Sequence, residues 1–265
     1  MSKIKRAFKR NSHSIIFKQL AAFGRALNRF YENRNHDINS NGEVTVLKKI
    51  AKISPEIIID GGANIGNYSL EINKYNPSCK IYSFEPVETT YKLLKNTIKS
   101  IDNIIPINKG LFSENCSKEI NLYNYDTHSS LYDIKGVSYE SQQKTEIDLI
   151  TGDFFLENEK ISDVDFLKID VEGAEFEVLK GFENSIKSGR IKAIQFEYGY
   201  INITTKKLLA DFYEFFDANN YVIGKIFPKT VEFRKYDFLY EDFIGPNFIA
   251  VKKSETELIK ILERS

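Results

Sequence analysis

The residues of this chain best placed for chemistry are a pair of glycines and a set of carboxylates, each set at the end of a strand-like run. Ile57–Ile59 leads into Asp60-Gly61-Gly62-Ala63-Asn64-Ile65-Gly66, after which the pattern turns helical. Strand, glycine-rich turn and helix in succession are the first unit of a nucleotide-binding α/β fold. Gly61 and Gly62 let the backbone turn tightly and approach a ligand, and Gly66 lets the helix pack close. Asp60 sets an acid beside the turn, and Asn64 stands where a dinucleotide fingerprint has glycine. The pattern is not G-x-G-x-x-G. An acid there repels phosphates and suits a ligand carrying an ammonium group.

Glu85 lies 19 residues past Gly66, in the run Tyr-Ser-Phe-Glu-Pro. An acid about 20 residues beyond such a turn typically grips ribose hydroxyls, and one carboxylate can accept from both. The local alternative is an acid at a helix start beside Pro86. A third signal is Asp165–Gly181, where a buried run delivers Asp170 to its end and Glu172 and Gly173 follow. Carboxylates at a buried strand end are costly unless paired, hydrogen-bonded or used. Asp170 and Glu172 can therefore contact a substrate hydroxyl, take its proton or bind a divalent cation. Their alternative is helix capping, and Glu175 reads as a first-turn helix acid.

The elements that must position these residues alternate. Strands are expected at Glu56–Asp60, Lys80–Phe84, Ile104–Asn108, Val164–Ile169, Ala193–Glu197, Tyr221–Phe227 and Asn247–Lys252. Helices are expected at Asn64–Tyr75, Val87–Ile98, Ala174–Ser188 and Thr204–Asn219. That rhythm predicts an α/β fold, a parallel sheet with helices on both faces. Residues 113–148 break it and read as a β-rich insertion over the C-terminal edge of the sheet, where ligands bind. Before the sheet, Ile15–Tyr31 and Glu43–Ile53 have helical spacing, so the chain divides into a basic helical segment, 1–53, and a main domain, 54–265.

In residues 1–35 nine lysines and arginines face one acid, Glu32, while the whole chain of 265 residues is neutral. The rest therefore carries an equal acidic excess. Such an arm suits a solvated amphipathic helix, an anionic membrane surface, nucleic acid or the acidic body of the protein itself. No run approaches the ~20 apolar residues of a membrane span, and Ile15–Phe23 lacks the pattern of a secretion signal. Two cysteines, Cys79 and Cys116, make neither a metal motif nor a disulfide scaffold. A cytoplasmic location is expected.

Taken together, the three motifs resemble the FkbM family of S-adenosylmethionine-dependent methyltransferases. The matching residues are Asp60–Gly66, Phe84-Glu85-Pro86 and Leu167–Gly173 with Glu175. Weaker echoes are Asn108–Leu111, Ser129–Leu131 and Phe196-Glu197, and the likeness spans roughly Glu56–Lys252. It implies a class I methyltransferase (Rossmann-like) fold with a seven-stranded sheet and one antiparallel strand near its end. It also implies S-adenosyl-L-methionine as cofactor and O-methylation of a sugar, glycan precursor or other polyhydroxylated metabolite. Gly61 and Gly62 would make room for the methionine part, Asp60 would favour its positive charge, and Glu85 would hold the ribose. Gly110, Leu111 and the insertion would cover the adenine.

An alcohol nucleophile gains from a base, and the candidates are Asp170, Glu172, His128 and Glu197. His128 titrates near neutral pH and lies in the insertion. Asp170, Glu172 and Glu197 would also suit a Mg2+ site of hard oxygens, an option ranked below hydrogen bonds to a polyhydroxyl substrate, so no metal ligand is assigned. Tyr123, Tyr125 and Tyr132 suit either stacking on a sugar ring or packing. The rival readings are an NAD-dependent oxidoreductase, a non-catalytic glycan-binding module and a nucleic-acid methyltransferase. The first lacks its glycine fingerprint, the second is disfavoured by the acids present, and the third lacks an N/D-P-P-Y/F type motif. Nucleic acid is not expected as a partner, peripheral membrane contact through the arm is left open, and oligomeric state is not legible.

Overall fold

The computed structural model describes residues 3–123, 129–133 and 141–264. Along the chain the helices are α1 (Lys3–Arg10), α2 (Ile15–Tyr31), α3 (Glu43–Ile50), α4 (Asn67–Tyr75), α5 (Glu88–Ile98), α6 (Gly152–Asn158), α7 (Glu175–Gly181), α8 (Glu183–Lys187), α9 (Asn202–Thr205), α10 (Leu209–Ala218) and α11 (Thr256–Glu263). The strands are β1 (Ile57–Gly61), β2 (Lys80–Phe84), β3 (Ile104–Ile107), β4 (Gly110–Leu111), β5 (Cys116–Tyr123), β6 (Ser129–Ser130), β7 (Ser141–Ile150), β8 (Val164–Ile169), β9 (Ile191–Glu197), β10 (Tyr221–Ile226), β11 (Val231–Phe233) and β12 (Asn247–Lys252). Among the described residues no helix is long and apolar enough to cross a membrane.

The main sheet runs β11-β10-β12-β9-β8-β1-β2-β3. β3, β2, β1, β8 and β9 are parallel, and β12 lies antiparallel between β9 and β10. This is the class I methyltransferase arrangement implied by the resemblance, with an eighth strand at one edge. Both faces are covered, because successive strand residues point to opposite sides. Ile59, Leu167, Ile194 and Ala250 pack with Phe155, Val178, Phe182, Phe212 and Phe216 from α6, α7, the α7–α8 junction and α10. Their neighbours Ile58, Phe166, Ala193 and Ile249 pack with Leu47, Ile72, Leu94 and Leu258 from α3, α4, α5 and α11. The insertion forms its own sheet, β4-β7-β5-β6, built on the long antiparallel ladder of Cys116–Tyr123 with Ser141–Ile150.

Some expectations are corrected. The eighth strand, β11, returns on β10 through the turn after Phe227, pairing Ile226 with Val231. Gly224 makes the hairpin close, since a Cβ there would lie 2.3 Å from Val231 Cγ1. The helix expected over Ala174–Ser188 is two helices joined at Phe182, and the one over Thr204–Asn219 is broken by Lys206, whose φ is +62°. The first sheet helix begins at Asn67, after Gly66 turns left-handed at φ +93°. The boundary expected at Ile53 also moves. Val46, Leu47 and Ile50 of α3 belong to the core, so within 1–53 it is α1 and α2 that stand apart, and α2 buries none of its residues.

Candidate functional site

Four central strands of the sheet, β2, β1, β8 and β9, each carry one polar residue at the same level, and together these form a row. Asp60 of β1 pairs in register with Ser83 of β2 and with Lys168 of β8, and Lys168 pairs with Gln195 of β9. All four are buried. They continue the α3/α4 face, where the alternation otherwise supplies Ile81, Ile58, Phe166 and Ala193. Burial of such groups demands partners, and these come from the helices above. Ser69 Oγ of α4 donates to Asp60 Oδ2 (2.6 Å) and lies 2.8 Å from Ser83 Oγ. Gln195 Nε2 donates to Glu43 Oε1 of α3 (2.6 Å), and Tyr68 OH of α4 donates to Gln195 Oε1 (3.2 Å). Lys168 Nζ donates to Asp170 Oδ2 (2.7 Å) and sits 4.4 Å from the centre of the Tyr68 ring.

Electrostatics follow from that burial. Burial works against the Lys168 ammonium, but Asp170, Asp60 and Glu43 overcome it and hold the group above its ordinary range. Burial raises the carboxyls of Asp60 and Glu43, with Lys168 opposing in both. Burial, with Asp170, Glu172 and Glu43 nearby, holds Glu197 well above the usual carboxylate range.

Two clefts open above the row, of about 180 and 550 Å³, and Gly62, Asn64 and Asp170 line both. The first also contains Glu85, Gly110, Leu111 and Glu172, so seven of the expected site residues converge there. Leu149 and Ile147 of the insertion form its far wall. The second is bounded by His36, Glu43, Tyr68 and Lys168. Gly62 takes φ +84°, and a Cβ on it would lie 1.8 Å from the Asp170 carbonyl oxygen. Only glycine lets the β1 turn and the β8 end close on each other here.

Glu85 is held by two backbone donors, Asn64 N–H to Oε2 (3.1 Å) and Val87 N–H to Oε1 (3.0 Å). Asn108 fixes the same segment by donating to the Glu85 and Pro86 carbonyls. Burial pushes the Glu85 carboxyl up to about 7, against those hydrogen bonds. The loop after β8 is organised by Glu175, whose Oε1 accepts from Val171 N–H (3.2 Å) and Gly173 N–H (3.0 Å). Burial pushes Glu175 up to about 7 as well. Ser130 of the insertion latches on from the other side, donating to the Glu172 carbonyl (2.7 Å).

Asp60, Gly61 and Gly66 lie behind the cleft wall rather than in it. Asp60 is fully buried and meets Ser69, while Gly61 fits against the Lys168 carbonyl and Leu111, and Gly66 against Leu94. Glu197 ends β9 beside Asp170 and Glu172 in the same electrostatic field but lines neither cleft. His128 and Tyr125 lie outside the described residues. Tyr123 is buried and donates to the Tyr132 carbonyl (3.1 Å), a packing role. Among the described residues no group of three or more His, Cys, Asp or Glu is arranged to hold a metal ion.

Residues missed by sequence reasoning are Glu43, Tyr68, Lys168 and Gln195. Lys168 and Gln195 had a signal, a polar residue on the buried phase of an apolar strand. Glu43 had none, since its partner Gln195 is 152 positions away.

The donor set suits an adenosine ligand bearing an ammonium group. Acids, glycine backbone and apolar walls line the first cleft, and a carboxylate with both oxygens already positioned faces it. Residues 60–223, more than half of the chain, match the family model of the Methyltransferase FkbM domain. The chain is 27% identical over 176 residues to a hexuronic acid methyltransferase, AglP, of Haloferax volcanii, covering 64% of this chain and 69% of that protein. It is 29% identical over 159 residues to Methyltransferase sdnD of Sordaria araneosa, covering 49% and 61%. The crystal structure of an FkbM methyltransferase from Methylobacillus flagellatus superposes with TM-score 0.47 at 18% identity, covering 74% of this chain and 44% of that one.

Proposed function

This chain belongs to the FkbM methyltransferase family and is an S-adenosylmethionine-dependent methyltransferase, and we propose that its acceptor is a hydroxyl of a sugar or glycan precursor. The observation that carries the reading is the convergence of Gly62, Asn64, Glu85, Asp170 and Glu172 on one cleft. The similarity to a hexuronic acid methyltransferase supports the choice of acceptor.

S-adenosylmethionine, when bound, supplies a methyl group activated by its sulfonium. The protein's part is then binding, orientation and proton removal. Glu85 accepts from the ribose hydroxyls with the lone pairs left by Asn64 and Val87. Gly62 and Asn64 would hold the amino-acid part, and Gly110 and Leu111 would cover the base. The buried acids Asp60 of the polar row and Glu43 of α3 would act on the ligand's positive charge only through the field they set up.

Asp170 is the residue to take the acceptor hydroxyl's proton. It is a third exposed, at 31%, and its second oxygen is held by the buried Lys168. Glu172 orients other hydroxyls from the same loop. Glu197, raised well above the usual carboxylate range, is suited to donate a hydrogen bond rather than to act as base.

Calorimetric titration with S-adenosylmethionine, S-adenosylhomocysteine and NAD, followed by methyl transfer to a panel of uronic acids, neutral sugars and oligonucleotides, tests this. Binding of the two adenosyl-sulfur ligands with methylation of sugars supports it. Methylation confined to oligonucleotides, or binding without transfer to any hydroxyl, sinks the acceptor assignment.

A further inference from the structure

The arm ahead of the core has two faces of opposite chemistry. On α2, Ile16, Leu20, Phe23, Leu27 and Phe30 recur at helical spacing along one side, and Lys18, Arg25 and Arg29 lie on the side opposite. The apolar side is bare. Phe23 is 63% exposed and Phe30 83%, and no residue of the helix is buried. α1 adds Lys9 and Arg10 in its last turn, and Phe8 packs edge-on against Phe17 at 5.0 Å, folding α1 back on α2.

The arm is rooted firmly. Arg234 pairs with Glu32 at 3.3 Å, both nearly buried, and Asn33 Nδ2 donates to the carbonyls of Asn41 and Ile226. Ile226 ends β10, which runs parallel to β8 and β9. The root therefore lies on the same sheet edge as the two clefts.

We propose that α1 and α2 form an interfacial anchor that seats this edge of the protein on a bilayer surface carrying anionic headgroups. A helix with bulky apolar residues on one side and lysine and arginine on the other lies in the plane of such a surface, the apolar side inserted and the cations on headgroups. Charge decides between occupants. Residues 1–35 carry an excess of eight positive charges, so pairing this face with a second copy's arm brings like charges together. An anionic bilayer neutralises the cations and covers the apolar side at once. Nucleic acid would leave the phenylalanines and leucines in water. The anchor is independent of which hydroxyl is methylated.

The test is flotation of the full chain with vesicles of phosphatidylglycerol mixed into phosphatidylcholine, against phosphatidylcholine alone. Binding to the mixed vesicles, weakening as salt rises, is expected, with little to the neutral ones. Phe23→Asp with Leu27→Asp, and separately Arg25→Glu with Arg29→Glu, should each weaken it by roughly tenfold or more, with thermal unfolding unchanged because these side chains touch no core. Three results overturn the proposal: no binding that depends on phosphatidylglycerol, binding undiminished in both variants, or a solution dimer that Phe23→Asp with Leu27→Asp converts to monomer.

Discussion

Lys168 Nζ and Asp170 Oδ2 stand 2.7 Å apart at the end of β8, the lysine 5% exposed and the aspartate 31%. The pair straddles the boundary between core and cleft. One partner belongs to the buried polar row, and the other lines both clefts.

If Asp170 takes the acceptor's proton, Asp170→Asn should lower turnover by roughly 10²–10⁴-fold while leaving affinity for S-adenosylhomocysteine within about threefold. Steady-state kinetics on whichever sugar the acceptor panel identifies, with titration of the variant, measures both. Turnover at the native rate would make Asp170 structural.

Glu85→Ala should weaken binding of S-adenosylmethionine by about 1–3 kcal/mol, the range for hydrogen bonds to a charged group. The native protein should also bind more tightly as pH rises through about 7, where Glu85 ionises and becomes a full acceptor. An affinity that is flat across that range in the native chain, and unchanged in the variant, would remove Glu85 from the ribose site.

At Gly62 a methyl group meets backbone. Gly62→Ala forces a Cβ to 1.8 Å from the Asp170 carbonyl at φ +84°, so the turn and the β8 end must part. A loss of more than about 1 kcal/mol in urea unfolding and loss of cofactor binding are expected together. Retention of both would mean the turn relaxes without cost.

Glu175 gives a pH signature. Its folded value is raised to about 7 from 4.5, so between those values the native state holds a proton that the unfolded chain has released. Stability from this group is present below about 4.5 and is lost as pH rises through about 7. Glu175→Gln, neutral throughout, should therefore gain on the native protein by up to roughly 3 kcal/mol between pH 4.5 and 8. Parallel urea midpoints for the two proteins across that range would contradict it.

Much of this was legible in the sequence because the signals are local. Strand cores such as Ile57–Ile59 are apolar throughout, and the turns that follow the strands carry Gly62 and Glu85 within a few residues. The insertion announced itself as β-rich by breaking the alternation. What stayed hidden depends on register. Asp60 reads as a ligand contact because it ends a strand, yet the pairing of β1 with β2 and β8 places it in line with Ser83 and Lys168, under the turn. Glu43 reads as an ordinary helix acid until α3 folds over β9 and brings it to Gln195. Lys206 breaks a helix whose apolar period continues across the break, so periodicity joins what backbone geometry separates.

The two backbone amides that hold Glu85 also bear on the energetics of ligand capture. A surface glutamate loses rotamer freedom when it first grips a ligand, which subtracts from affinity. Here Asn64 and Val87 fix both oxygens as the chain folds, so the proposed ribose acceptor has little freedom left to lose. On that proposal, selectivity for the adenosine end of the cofactor is preorganised in the β1 turn and the start of α5, before any ligand arrives.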